Sequence, residues 1–304
     1  MTDVTFTMPT ANDRWRELIR AVRTYGKVAH PRSFQTYEVL AVHTRVPMQQ
    51  PIVTVPSRKL GYRFLAAEAW WILSGTNRVD LIEPFSKQIA NFSDDGYTFF
   101  GAYGPPVVDQ LGYVVDALVK DPNTRQSVLT IWRPRPGDTR DVPCTISLQF
   151  MIRNGQLVTF ANMRSSDVWL GVPYDWFNFS MISLFVAAMY MKREGTTLSL
   201  GDLHFYAASQ HIYENNFNAS ATCMDDTDQK FEYDPIEPTE FADDPYRLID
   251  HLYAVAKGRP QDLKSSMLRG LANDLKKEDA GVRSGRSPDR QQEVGPGGIL
   301  PGRT

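Results

Sequence analysis

The stretch that most constrains the fold is a pair of predicted strands joined by Asn154-Gly155. These strands cover Thr145–Arg153 and Gln156–Met163. Asn-Gly suits the two-residue type I′ turn, because both central residues of that turn need a positive φ. A long apolar helix predicted over residues 174–191 and a strand predicted over residues 198–206 follow the hairpin. We therefore expect an α/β fold in which helices pack on the sheet that contains this hairpin.

Other elements are predicted on both sides of that region from apolar spacing, capping residues and turn residues. The further helices cover residues 11–25, 60–73, 107–120, 207–217 and 245–257, and the further strands cover residues 37–46, 50–55 and 127–132. A chain of 304 residues fits one large domain, which we place at residues 1–280. Residues 281–304 are rich in Gly, Pro, Arg and Ser, so they are predicted to be a disordered tail.

Charge and cysteine content exclude several classes of protein. A net charge of −2 gives no overall basic field, so no general binding of DNA is expected, although a few arginines could hold a small anion. Two cysteines are too few for a disulfide scaffold or a four-cysteine zinc site, and no metal is expected. We find no signal peptide and no run of about 18 apolar residues, which predicts a cytoplasmic protein without a membrane span.

Cys144 and Glu68 each allow two interpretations. Cys144 follows Pro143 at the start of a predicted strand, and it is either a small buried apolar residue or a nucleophile. A nucleophile needs the thiolate form and therefore nearby positive charge, for which Arg164 and Arg125 are candidates. Glu68 is the one acidic residue of an apolar predicted helix, and it either belongs to a site or simply faces solvent or an arginine.

Two polar groups further along are equally ambiguous. The run Arg164-Ser165-Ser166-Asp167 suits an oxyanion such as phosphate, because a guanidinium binds two oxygens at once, but it could also be a surface Arg–Asp pair. His204 and Tyr206 are separated by one residue on a predicted strand and so share one face. They could bind a sugar hydroxyl or be satisfied polar groups of the core.

Taken in order, these motifs resemble the thymidylate synthase family. The match includes Cys144, residues 164–167, residues 170–175 and residues 201–206, and it extends from about Arg32 to Phe217. Further matching segments are Gly75-Thr76-Asn77, Ala102-Tyr103-Gly104 and Asp121-Pro122-Asn123-Thr124-Arg125. The resemblance implies a homodimer with the family's α/β fold, a mixed sheet packed with helices.

The resemblance also implies a chemistry. Cys144 would add as a thiolate to C6 of a pyrimidine nucleoside monophosphate, which makes C5 nucleophilic toward the one-carbon unit of 5,10-methylenetetrahydrofolate. Glu68 would manage proton transfers through ordered water, and Tyr103 would stand beside the reacting base.

Binding roles follow from the same resemblance. The residues expected to bind the nucleotide, chiefly its phosphate, are Arg32, Arg125, Arg164, Ser165 and Ser166. Arg125 would reach into the phosphate site of the partner subunit, and His204 and Tyr206 would bind the sugar 3′-hydroxyl. The residues expected to bind folate are Asp167 at the pterin, Gly171, and Arg58 near the folate tail.

Asp175 departs from the family's pattern in a way that concerns the base. Thymidylate synthases carry an asparagine there, whose amide donates to uracil O4 and accepts from uracil N3–H. A carboxyl group can instead accept from the exocyclic amine of cytosine. In this respect Asp175 resembles the deoxycytidylate and cytidylate hydroxymethylases, so we expect a cytosine nucleotide, with dCMP favoured over CMP.

A second departure concerns the product. Methylation requires that water be excluded, yet Ile89 and Phe92 lie near the positions where the family has tryptophans, and Gly302-Arg303-Thr304 replaces an apolar closing segment. Both changes would admit water and give a hydroxymethyl product. The alternatives are a C5 methyltransferase that makes 5-methyl-dCMP or dTMP, and a catalytically silent member that binds nucleotide or RNA.

Three smaller mismatches lie next to the matched motifs. Gln126, Thr145 and Met163 stand where the family commonly has an arginine, a histidine and a glutamine, respectively. Arg133 is a candidate substitute for the missing arginine.

Overall fold

A mixed sheet forms the frame of the molecule. The structure is a computed structural model, and it describes residues 9–134, 136–227 and 234–283. The strands are β1 Lys27–Ala29, β2 Thr36–Pro47, β3 Val128–Thr130, β4 Thr145–Arg153, β5 Gln156–Met163, β6 Ser166–Asp167 and β7 Ser199–Tyr213. Their order is β1-β2-β7-β5-β4-β3, with β6 beside β7. β5 and β6 run parallel to β7 and the other pairs are antiparallel, so the predicted mixed sheet is confirmed.

Helices cover one face of this sheet and pack around one long central helix. They are α1 Ala11–Tyr25, α2 Tyr62–Leu73, α3 Val79–Ile82, α4 Gly104–Lys120, α5 Val172–Glu194, α6 Glu214–Thr222, α7 Arg247–Ala256 and α8 Ser266–Arg283. α5 is the central helix, with Trp176 and Phe179 against Phe205 of β7 at ring-centroid distances of 6.4 and 6.3 Å. α2 and α4 pack on α5 as well, and this packing places Glu68 of α2 against Asn178 of α5.

The hairpin that joins β4 and β5 has the predicted geometry. Asn154 and Gly155 have φ values of 52° and 73°, both in the left-handed region that a type I′ turn requires. The strands pair from Arg153↔Gln156 back to Thr145↔Met163. The residues just outside the open end, Cys144 and Arg164, are thereby brought together.

The strand predicted over residues 50–55 is wrong. That segment forms no strand, although Val53 and Val55 are buried in the core. Its polar groups are bonded by a side chain instead: Thr54 N donates to Asn12 Oδ1 at 2.8 Å, and Asn12 Nδ2 donates to Thr54 Oγ1 at 2.8 Å. Docking on α1 thus replaces pairing in the sheet.

The helix predicted over residues 207–217 is also wrong for most of its length. β7 continues to Tyr213, paired with β2 as far as Thr36↔Tyr213 and with β6 at Gln210 and His211. The helix that follows, α6, begins only at Glu214. Two neighbouring strands supply hydrogen-bond partners for this backbone, and that tertiary pairing decides the structure.

The sheet face that none of the described helices covers exposes large apolar side chains, among them Leu40 and Tyr206. α8 runs to Arg283 and so crosses the predicted domain end at residue 280. Residues 284–304, nearly all of the predicted tail, lie outside the described residues. In the part of the chain that the structure describes, every helix falls short of the length and apolar character that a membrane crossing demands.

Candidate active site

Cys144 and Arg164 meet at the open end of the β4–β5 hairpin. Arg164 N donates to Cys144 O at 2.9 Å, and the Arg164 side chain donates to Pro143 O and Val142 O, each at 2.9 Å. Arg164 Nη2 lies 3.8 Å from Cys144 Sγ. Burial raises the pKa of Cys144 above its ordinary value, while the charges of Arg164 and Arg32 act to lower it. The predicted proximity of Arg164 to the cysteine is therefore present.

Tyr103 contacts the first residue of β4 at the same strand end. Its hydroxyl is 2.9 Å from Thr145 Oγ1, and Thr145 N donates to it at 3.3 Å. Burial raises the pKa of Tyr103 well above its ordinary value, and the negative charges of Asp175 and Cys144 raise it further. Tyr103 is thus a neutral phenol. Thr145 also contacts Met163 Sδ at 3.2 Å, so the two residues that replace the family's histidine and glutamine lie side by side.

Glu68 is held between two helices by an amide. α2 carries Glu68 and α5 carries Asn178, whose Nδ2 donates to Glu68 Oε2 at 2.7 Å. Burial raises the pKa of Glu68 to about 7, although the hydrogen bond from Asn178 acts to lower it. A carboxyl group with a pKa near neutrality is suited to accept and return protons. The interpretation that Glu68 faces solvent is therefore wrong.

Asp175 is a second, partly buried carboxyl group, and the charge of Glu68 acts on it. It lies in the first turn of α5, where its backbone N donates to Gly171 O at 2.9 Å. Burial raises the pKa of Asp175 well above its ordinary value, and the negative charges of Glu68 and Asp167 raise it further. These shifts stabilise the neutral form of Asp175, in which the side chain offers one O–H donor and one carbonyl acceptor.

Asp167 has one satisfied and one unsatisfied oxygen. Its Oδ1 accepts from the backbone N of Trp169 at 2.7 Å and of Leu170 at 2.8 Å. Its Oδ2 is buried without a hydrogen-bond partner among the described residues, and so is Nδ1 of His211, the neighbour of Asp167 in β7. Burial raises the pKa of Asp167, while the charge of His211 acts to lower it.

Arg58 is buried close to Asp167 and does not project into solvent. It is 8% exposed, donates from Nε to Trp169 O at 3.0 Å, and places its guanidinium 4.9 Å from the centroid of the Trp169 ring. Its charge acts to lower the pKa of Asp167.

The residues expected at the phosphate are only partly together. Arg32 is exposed, has a left-handed φ of 52°, and approaches Tyr213 Oη at 3.5 Å. In the motif of residues 164–167, Arg164 and Ser165 are partly buried. Ser166 is buried, and its Oγ accepts from Gln210 Nε2 at 3.2 Å. Ser166 thus faces the core in this chain.

Arg125 lies away from Cys144. It is exposed, and its carbonyl oxygen accepts from Gln149 Nε2 at 2.8 Å, towards the turn end of β4. The neighbouring Asn123 O accepts from Arg153 Nη2 at that same end. Of the two arginines considered as partners of Cys144, only Arg164 is near it within one chain.

His204 and Tyr206 lie on the uncovered sheet face, and they do share it. His43 of β2 stacks on both, with ring-centroid distances of 5.3 Å to His204 and 4.4 Å to Tyr206. His43 Nε2 and His204 Nδ1 are 3.1 Å apart, and Phe160 stacks on His204 at 4.7 Å. Burial and the charge of His43 lower the pKa of His204, so its neutral form is favoured.

In this arrangement a cysteine, a neutral tyrosine and two partly buried carboxyl groups act on one another's ionisation. Residues 13–233 match the family model described as Thymidylate synthase. The chain belongs to the thymidylate synthase family. It is 28% identical over 241 residues to the deoxyuridylate hydroxymethyltransferase of Bacillus phage SP01, a match that covers 72% of this chain. The match covers 61% of the phage protein, so this chain spans about three fifths of that relative's length.

Thymidylate synthases use 5,10-methylenetetrahydrofolate, and the residues of this chain fit its pterin. A pterin presents N–H donors at one edge, and the unpartnered Oδ2 of Asp167 is a buried acceptor for such a donor. A side chain at Gly171 would crowd this place, because an added Cβ would lie 3.3 Å from Asp175 Oδ2 and 3.4 Å from Asp167 O. The described residues contain no group of three or more His, Cys, Asp or Glu side chains that could hold a metal ion.

Four residues that contact or adjoin these side chains escaped the sequence analysis. Asn178 could have been suspected as an amide one turn after Asp175 in an otherwise apolar helix. His211 and Tyr213 were hidden by the wrong helix over residues 207–217, which removed them from the strand β7. His43 gave no signal, because nothing local indicates which strand lies beside His204.

Proposed function

We propose that this protein is a folate-dependent pyrimidine nucleotide 5-hydroxymethyltransferase that acts on a cytosine nucleotide, with dCMP favoured over CMP. The observation that carries the proposal is the carboxyl group of Asp175 in the first turn of α5, next to Glu68, where thymidylate synthases have an amide. A relative named for hydroxymethyl transfer supports the product. Ile89, which is buried, and Phe92, which packs against the core, lie near the positions of the family's tryptophans but carry no indole.

The chain's residues fit the steps of this reaction. The Cys144 sulfur forms a bond to C6 of the base, which places an electron pair at C5, and Arg164 favours the thiolate needed for the attack. The folate co-substrate would supply the one-carbon unit that C5 takes up. Glu68, with its pKa near 7, removes the C5 proton through water. The electron pair of that C–H bond would form the exocyclic double bond as tetrahydrofolate leaves, and the proton would pass on to the leaving nitrogen, so that Glu68 is ionised again.

Hydroxymethylation then requires water in the last step. A water oxygen bonds to the exocyclic methylene carbon, and its proton passes to Glu68. The electron pair of the exocyclic double bond moves into the ring, re-forms the bond between C5 and C6, and expels the Cys144 sulfur. No electron donor is needed, whereas methylation would consume a hydride.

The choice of base depends on the hydrogen bonds that Asp175 offers. The neutral carboxyl group donates to cytosine N3 and accepts from the cytosine amine, and the ionised group accepts from that amine. A second candidate substrate is deoxyuridylate, because the neutral form can equally donate to uracil O4 and accept from N3–H. The name of the phage relative favours this candidate.

A second copy of the chain would complete the phosphate site. Arg125 lies away from Cys144 of its own chain, and the sheet face around His43 and Tyr206 is uncovered. Packing two such faces together would bury the stacked rings and could carry Arg125 to the partner's site. We propose a homodimer of this kind, working in the cytoplasm.

The decisive experiment is mass spectrometry of the product. The protein is incubated with methylenetetrahydrofolate and a mixture of dCMP, CMP and dUMP. Gain of a formaldehyde unit on a cytidylate is the expected result, and it also identifies the sugar. Gain of that unit on dUMP supports the second candidate substrate, and gain of a methylene unit indicates a methyltransferase. Absence of product from all three nucleotides contradicts the proposed catalytic activity.

A further inference from the structure

Asn178 is a buried amide with only one of its two ends bonded. It is 3% exposed, and its Nδ2 donates to Glu68 Oε2 at 2.7 Å. Its Oδ1 has no hydrogen-bond partner among the described residues. A buried acceptor without a partner is costly, so a group that donates to Oδ1 is expected in the working protein.

The position of Asn178 on α5 indicates where that donor lies. Asp175 and Asn178 are one turn apart and therefore on the same side of the helix. Glu68 approaches this side from α2, so three polar side chains meet between helices whose other residues are mostly apolar. Asp175 lies at the N-terminal end of α5 and Asn178 one turn deeper, beyond the side chain that we assign to the base.

We propose that Asn178 is a positioning residue that directs the reaction to hydroxymethylation, by fixing the Glu68 carboxyl group and accepting a hydrogen bond from the water that attacks. The inference rests on the proposed function. One O–H of the water donates to Asn178 Oδ1 and the other to Glu68, which leaves an oxygen lone pair for the methylene carbon. As the C–O bond forms, the proton moves to Glu68 and the thiolate of Cys144 is expelled.

Water fits this place better than a part of the nucleotide. A buried water needs two to four polar partners, and Asn178 Oδ1 and Glu68 supply two. The hydrogen bond from Asn178 also favours the ionised form of Glu68, which is the form that accepts the proton.

The experiment compares wild type with Asn178→Ala and Asn178→Ser, using the nucleotide that the wild type accepts, tritiated at C5. Two quantities are measured in one reaction: tritium released, which reports the C5 proton step, and hydroxymethyl product formed. The ratio of hydroxymethyl product to released tritium does not depend on how much of a variant is folded. We expect the ratio to fall about tenfold in both variants, because the water loses an oriented partner. The pH–rate profile should move to higher pH as Glu68 loses its hydrogen bond.

The matched control is Ser180→Ala on the same helix. Ser180 is fully buried, and its Oγ bonds to Trp176 O of its own helix, away from Glu68. The control is expected to keep the wild-type ratio.

Several outcomes would overturn the inference. An unchanged ratio and pH profile in both Asn178 variants removes the role of Asn178 and leaves the proposed function standing. An equal fall in Ser180→Ala assigns the effect to helix packing. Loss of all tritium release in folded Asn178 variants places the residue before the water step. A wild type that releases tritium but forms only methylated product refutes the proposed function, and the role of Asn178 with it.

Discussion

Arg164 lies 3.8 Å from the sulfur of Cys144, yet the pKa of that thiol stays above its ordinary value. Two of the arginine's N–H donors are bonded to Pro143 O and Val142 O, so the guanidinium is held by the backbone before the cysteine. Burial of the sulfur opposes ionisation more strongly than this charge favours it. In the free protein Cys144 is therefore mainly a thiol at neutral pH.

The first prediction concerns alkylation of Cys144 in a Cys223→Ser background. The rate with iodoacetamide should rise about tenfold per pH unit from about pH 7 to about pH 9 without levelling off, because only the thiolate reacts. Arg164→Gln should shift the curve to higher pH. Arg153→Gln is the control, since Arg153 also donates to backbone carbonyls but at the turn end of β4. A plateau well below pH 9 would contradict the prediction.

The second prediction concerns stability. The pKa of Glu68 is raised from 4.5 to about 7, so the folded state binds this proton more tightly than the unfolded state. Stability that is present near pH 4.5 is therefore lost as the pH rises to about 7. Glu68→Gln removes this loss. The free energy of unfolding of the variant minus that of wild type should therefore be about 2 kcal/mol larger at pH 8 than at pH 5, allowing for partial solvent screening.

Urea unfolding followed by tryptophan fluorescence measures this difference. Glu17→Gln is the control, because Glu17 is a surface residue paired with Arg14. If the difference in free energy of unfolding between Glu68→Gln and wild type is the same at pH 5 and at pH 8, Glu68 ionises as freely in the folded state as in the unfolded one.

The third prediction concerns the base. Asp175→Asn should lower the ratio of kcat/KM for dCMP to that for dUMP by about ten- to a hundredfold. The carboxyl group can ionise to a form that accepts from the cytosine amine but cannot donate to uracil O4, whereas an amide always keeps its donor for O4. Asp141→Asn controls for loss of negative charge near Cys144, since Asp141 acts on the cysteine's pKa but accepts from Gly101 N at 2.7 Å. An unchanged ratio in Asp175→Asn would remove the basis for assigning the base.

The fourth prediction concerns the subunits. If Arg125 serves the partner's site, Arg125→Ala and Cys144→Ser are each inactive alone. Mixing and refolding them in equal amounts should restore about a quarter of wild-type activity, since half of the dimers are mixed and each has one intact site. Arg20→Ala, an exposed arginine of α1, should be active without mixing. Absence of complementation would place Arg125 outside the site.

Local patterns predicted those parts of the fold whose partners are close in sequence. The type I′ turn follows from Asn154-Gly155 alone, and its ladder brings Cys144 and Arg164 together although they are 20 residues apart. α5 was recognisable because its length and apolar content admit no other structure. The family's motifs then indicated which of these residues form a site.

The errors arose where distant contacts decide the structure. Residues 207–213 have no strong strand pattern, and they extend β7 because β2 and β6 lie on either side. The bond between Asn178 and Glu68 joins residues 110 apart, so no window of the sequence contains both. The high pKa of Asp175 likewise depends on the burial that α2 and α5 create together.

The charge on Glu68 raises the pKa of Asp175, so the two carboxyl groups exchange protons with solvent as a coupled pair. A ligand that replaces the water around this pair changes the affinity of both groups for protons. The protein therefore takes up or releases protons on binding, and the heat of binding includes the ionisation heat of the buffer. By the same coupling, acidity shifts ligand affinity as much as the ligand shifts acidity.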